Sequence, residues 1–247
     1  MQSARPKLQP YAAIRLPLLL VRDIPSPTNS SLTWDEDQRL QDCIVLSRLV
    51  HPTTIATHFS ARLFYEGDEL RQIVPGPTQG LGAYAWVNAH DWRNWLTAPE
   101  AQKVGQLLTE YNRDTMTGRL RRAMRHFLYA CHTYELDLRF TLVVTGLEAL
   151  VNTHRYNVKN RFKKRLQLLA NDIAMTVTAE NAEAAYDFRS NLIHGEVLRG
   201  QDIGEKVQES YGRLETLLRL LVKKSIEDRP FARRFESEAT IDAAYPI

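Results

Sequence analysis

Cysteine is scarce in this 247-residue sequence: Cys43 and Cys131 are the only two, with no CxxC pair and no cluster of cysteine with histidine. A disulfide framework and a structural zinc site are therefore not expected, and a reducing, cytoplasmic setting fits. Long apolar runs are also missing. The longest near the start, LPLLLV at 16–21, lies between Arg15 and Arg22. It is too short for a bilayer span or a signal core and reads as a buried strand, so no membrane partner is expected. The formal net charge of +3 is too small for a protein that coats nucleic acid. A local basic groove survives that sum, because clustering matters more than the total. The chain has no Gly-rich phosphate loop, no HExxH and no nucleophile elbow, and no metal or cofactor is expected.

What is present is ordinary for a globular chain: 44% hydrophobic and 25% charged residues, enough for one large domain or two modest ones. Residues 1–90 read as a small α+β domain of unknown function. YAAIRLPLLLV (11–21) and AYAWV (83–87) have strand character, and Ser31 to Leu49 carries a helical pattern opened by Asp35, Glu36 and Asp37. THFSARLFY (57–65) and ELRQIV (69–74) flank Gly67-Asp68, a hairpin signature. Eight Lys/Arg balance eight Asp/Glu in this part.

From Asp91 the apolar spacing becomes helical. Stripes run through Leu120, Met124, Phe127 and Cys131, through Phe140, Val143, Leu147 and Leu150, through Phe162, Leu166 and Leu169, and through Leu214, Leu218 and Leu221. Stripes of this kind must pack on one another, which predicts a bundle of about five or six helices over 91–226. Residues 227–247, with Pro230 and mixed charge, are expected to be an irregular tail after a short helix. The whole is mainly α.

One helical stretch, YDFRSNLIHGE (186–196), holds the chemistry. Gly195 is placed to end the helix, so His194 falls in the last turn, where the macrodipole favours its protonated form. Arg189 and His194 stand about 140° apart around the axis, whereas Ser190 and His194 share a face. One copy makes a loose Arg–His site, and two copies across a two-fold axis make a tighter one. Cleavage of RNA by its own 2′-hydroxyl needs only proton transfer and charge stabilisation, which His and Arg supply. Structurally, the same residues read as an Arg–acid pair and a histidine fastening a helix end.

Two basic clusters flank this motif. Arg155, Lys159, Arg161, Lys163, Lys164 and Arg165 lie within eleven residues without an acid, and Arg119, Arg121, Arg122 and Arg125 within seven. Either is a track for an RNA backbone or a solvated helix face. Glu148, inside the apolar run VVTGLEALV, needs a partner when buried, and Arg189 or Arg161 could serve.

RSNLIHG, with FTLVVTGLEALVN (140–152) and NRFKKRLQLL (160–169), resembles the HEPN superfamily, and within it the ApeA-like branch. The resemblance covers roughly residues 100–225. It implies a HEPN-type helical bundle acting as a homodimer through the helical domain, and a metal-independent endoribonuclease, a toxin or anti-phage defence effector. By that resemblance Arg189 and His194 form the catalytic pair; Ser190, on the face of His194, and Glu148, as an orienting carboxylate, are read from the sequence as supporting them. Arg121, Arg122, Arg125, Arg161, Lys163, Lys164 and Arg165 would contact RNA. Ser190 departs from the Asn, Asp or His often found after the Arg in active relatives. The alternatives are a non-catalytic HEPN module that binds RNA or a partner protein, and a nucleotide-sensing regulator. In the latter, a ligand or partner at the N-terminal domain gates the helical one.

Overall fold

The computed structural model describes residues 42–51, 61–66, 69–75, 96–111, 116–133, 135–154, 156–193 and 205–247. The expected strands at 11–21 and 83–87 and the start of the Ser31–Leu49 helix lie outside them. The chain divides into two compact units, one of Met1–Ile44 with Ala56–Ala83, the other of Val45–Ile55 with Tyr84–Ile247. The boundary predicted at residue 90 is therefore corrected: Val45–Ile55 belongs with the helical unit, not with the N-terminal one.

In the first unit the expected hairpin is present. Strands β1 (Ala61–Glu66) and β2 (Glu69–Pro75) pair antiparallel, from Ala61 opposite Pro75 to Glu66 opposite Glu69. Phe64 faces Gln72 but Tyr65 faces Leu70, so Arg71 is an extra residue that bulges from the ladder.

The second unit is helical. Residues 42–50 form α1, whose Val45, Leu46 and Leu49 are buried in its core. Six longer helices follow: α2 (Ala98–Glu110), α3 (Gly118–His132), α4 (Leu136–Val151), α5 (Val158–Asn171), α6 (Ala179–Ile193) and α7 (Glu205–Glu227). Their starts are chemically marked. At α2 the Thr97 backbone N–H donates to Glu100 at 2.7 Å as part of a capping box, and at α3 the Thr117 hydroxyl accepts from Leu120 N at 3.2 Å. At α6 the Thr178 hydroxyl accepts from Asn181 N at 3.1 Å.

Helix α4 is the hub. It is buried on most sides, and α3, α5, α6 and α7 all pack on it. Gly146 permits this closeness: a Cβ there would stand 2.7 Å from Leu218 Cδ2, 3.3 Å from His126 Cβ and 3.4 Å from the Ala123 carbonyl oxygen. Leu218 could swing aside, but α3 could not. Gly146→Leu is expected to cost about 3 kcal/mol, the upper range for overpacking, read as a lower urea midpoint with unchanged slope.

The tail is not irregular. Asp228 caps α8 (Arg229–Arg233) and Ser237 caps α9 (Glu238–Ala244). Phe231, Phe235, Ile241 and Tyr245 are all buried in the core of this unit. Four large apolar side chains leave water together, and that burial holds the tail in place.

Candidate functional site

Arg189 and Glu148 meet at the seam between α6 and α4, Arg189 Nη2 standing 3.1 Å from Glu148 Oε2. Aromatic packing fixes that seam: Phe188 lies on Phe140 at 4.6 Å between ring centres, and Tyr186 on Phe162 of α5 at 5.7 Å. Both rings precede Arg189 closely, so the guanidinium is aimed by its own helix. Of the two cations considered for Glu148, Arg189 is the one it pairs with. Arg161 instead lies over the Tyr156 ring, 5.1 Å from its centre, with Nη1 3.5 Å from Thr153 Oγ1.

Burial pushes the Glu148 carboxyl above the ordinary glutamate range, and the Arg189 charge pulls it partway back. The Arg189 side chain keeps 24% of its surface exposed, against 11% for Glu148. One edge of the guanidinium is thus anchored while part of it still faces solvent. Ser190 is half-buried and, among the described residues, makes no side-chain hydrogen bond. His194 and Gly195 lie outside the described residues, as does Arg155.

The basic run on α5 is largely committed within the fold. Lys159 pairs with Glu183 and Asp187, each at 2.8 Å, and Lys163 with Glu183 at 2.7 Å, all from α6. Shared between two ammonium groups, the Glu183 carboxyl is held down to about 2. Arg165, expected to touch RNA, is 2% exposed and faces inward. It pairs with Asp242 and donates to the Val151 carbonyl at 2.8 Å, Thr153 Oγ1 at 2.9 Å and the Tyr245 carbonyl at 3.1 Å. Its place in the RNA track is withdrawn, because no phosphate on the surface can reach it. Lys164 is exposed.

On α3 the cations divide differently. Arg119 donates to the carbonyls of Ala149 and Asn152 at 3.2 and 2.6 Å and so caps the end of α4. Arg121, Arg122 and Arg125 are exposed.

A second polar cluster escaped the sequence reading. Arg48 donates to His132 Nε2 at 3.0 Å, and the Arg139 guanidinium lies 4.7 Å from the Tyr211 ring centre. Arg219 donates to the carbonyls of Leu49 and Val50 at 3.3 and 3.4 Å, closing the end of α1. Burial raises the Glu215 carboxyl here against the pull of Arg219 and Arg139, and pushes the Cys131 thiol up to about 12. Such a thiol is not a nucleophile at neutral pH. The available signal was helical phase: Arg139 stands four before the buried Val143 and Arg219 three before the buried Val222.

A cavity of about 210 Å³ opens between the end of α2, the start of α3 and α8, lined among others by Glu110, Tyr111, Thr117, Arg229 and Arg233. None of the predicted site residues lines it. Among the described residues no group of three or more His, Cys, Asp or Glu is placed to hold a metal ion, and no helix is long and apolar enough to cross a membrane. Comparison with known proteins finds no matching family model, no matching curated relative and no matching solved structure.

Proposed function

We propose that the chain is a HEPN-type endoribonuclease that cleaves RNA through the substrate's own 2′-hydroxyl without a metal, working as a homodimer. The supporting observation is the partly exposed Arg189 anchored by the buried Glu148. A guanidinium held at one edge keeps donors for the charge that gathers on phosphorus in the transition state. His194, five residues on, is the proton-transfer group in this reading, and Glu148 is a positioning residue. The two-fold partner supplies the second Arg–His pair. A toxin or defence role follows from the HEPN resemblance alone.

The same ion pair also supports the alternative, a non-catalytic HEPN module. A buried carboxylate requires a cation, and Arg189 satisfies that need without any chemistry. Incubation of the purified chain with single-stranded RNA in EDTA separates the two. Cleavage that disappears in His194→Ala supports the nuclease; intact RNA, or cleavage undiminished in that variant, removes it.

A further inference from the structure

Helices α2, α3, α7 and α8 all contribute to the cavity of about 210 Å³. Its floor is apolar: Leu120 of α3 and Ile226 of α7 are buried there, and Ala232 of α8 joins them. The walls are held by contacts of their own. Tyr111, just after α2, is tied to α3 by its hydroxyl, which donates to Met124 Sδ at 3.7 Å. On α8, the Asp228 carboxylate accepts from Phe231 N at 3.0 Å, and the buried Phe231 ring meets Phe235 edge-on at 5.3 Å between ring centres. Walls fixed before a ligand arrives lose little freedom when it binds.

Polar groups surround that floor. Arg229 and Arg233 stand four apart on α8, about 6 Å along its axis, and both line the cavity. Phe231, buried in the core between them, orients the helix that carries the pair. Two guanidinium groups one turn apart offer paired donors that match the two oxygens of a carboxylate. Glu110 and Glu236 line the same space. Their charge opposes a dianionic phosphate and can accept hydrogen bonds from an ammonium group.

Volume sets the size of the occupant. An apolar cavity of about 150 Å³ accommodates a benzene ring, and drug-sized ligands take about 300 Å³ or more. At about 210 Å³ this one suits a single ring with a short acidic arm, and a nucleotide is too large for it. An apolar hollow with a few convergent polar groups is the form that small-molecule sites take.

We infer that this cavity binds a small organic acid, its ring-sized apolar body on Leu120, Ile226 and Ala232 and its carboxylate on Arg229 and Arg233. The site shares no residue with the Arg189–Glu148 pair, and its occupation does not depend on the nuclease reading.

Isothermal titration of the full chain with phenylacetate at low salt tests this. Phenethyl alcohol supplies the same body without the charge, and acetate the charge without the body. Binding of phenylacetate in the millimolar range or tighter is expected, as its size allows, and both controls should bind at least about tenfold more weakly. Arg229→Gln/Arg233→Gln should weaken phenylacetate at least about tenfold. Both arginines are exposed, so the thermal midpoint of the free protein should match its parent's. Ala232→Leu narrows the cavity and should weaken the acid by a similar factor, which attraction to surface charge alone would not do. Lys164→Gln, an exposed cation on α5, should stay within about twofold. Binding of phenylacetate or of L-phenylalanine supports the assignment, and their ratio reports whether Glu110 and Glu236 accept the ammonium. Absence of binding of both at about 10 mM overturns it. Equal affinities for acid and alcohol do the same, as does a Gln double variant within about twofold of its parent, or phenyl phosphate binding more tightly than phenylacetate. If Ala232→Leu fails to fold, the arginine comparison decides.

Discussion

Arg165→Met is expected to lower the stability of the helical unit by about 3 kcal/mol, on the order of 10 °C in Tm. Methionine fills most of the volume, so the loss is polar. The Val151 and Tyr245 carbonyls, Thr153 and Asp242 would all lose a donor in a site that is 2% exposed at the arginine. Asp242 keeps 39% of its surface and can rehydrate, which places the loss at the lower end for a broken buried pair. The sign with pH is fixed. Burial pushes the Asp242 carboxyl up, but the hydrogen bonds from Arg165 and Thr153 outweigh it and hold the group below its ordinary value of 3.8. Its contribution is present above that value and is lost as pH falls through the folded one. In Arg165→Met that acid-sensitive component should shrink, and amide exchange in α9 should quicken. An unchanged melting curve would mean that the tail is not held by this arginine.

Under the proposed nuclease function, Arg189→Ala should slow RNA cleavage about 10²- to 10³-fold, the cost of removing one donor aimed at developing charge. Arg189→Lys should restore little, since an ammonium cannot hold both Glu148 and a phosphate oxygen in one plane. Glu148→Gln should cost less, about tenfold, and its diagnostic is the pH profile. Burial raises the Glu148 carboxyl, so in the wild type it gains a proton as pH falls through its folded value and releases Arg189. With glutamine that acid limb should flatten. The stability sign runs the other way: ionising a group with a raised value costs stability as pH rises through it, and glutamine removes that slope. Single-turnover rates across pH, with Tm measured in parallel, separate positioning from folding.

Much of this was legible in the residues, and the failures have physical causes. Stripes such as Leu120, Met124 and Phe127 gave α3 because only a 3.6-residue period brings them to one face. The hairpin followed from two β-rich runs around Gly67-Asp68. The tail was missed because α8 and α9 are five and seven residues long, too short for periodicity to emerge from mixed charge. Their marks were nonetheless there: Asp228 before Pro230, Ser237 before Thr240, and the four-residue steps Phe231–Phe235 and Ile241–Tyr245. Arg165 was misread by composition alone. It stands three after Phe162 and four before Leu169, on the buried stripe, whereas Lys164 points away. The partner of Glu148 could not be read from sequence, because it depends on which helix α4 packs against at that level.

The split ownership of 42–50 has a consequence for the order in which the chain is made. During vectorial synthesis α1 emerges first, yet Val45, Leu46 and Leu49 belong to a core whose other helices come after the hairpin. Those apolar side chains must wait, unburied, until α3, α4 and α7 have been translated. A shortened chain beginning at residue 91 would therefore not liberate an intact domain. It would discard a core helix and leave Arg219 without the carbonyls of Leu49 and Val50 that it binds.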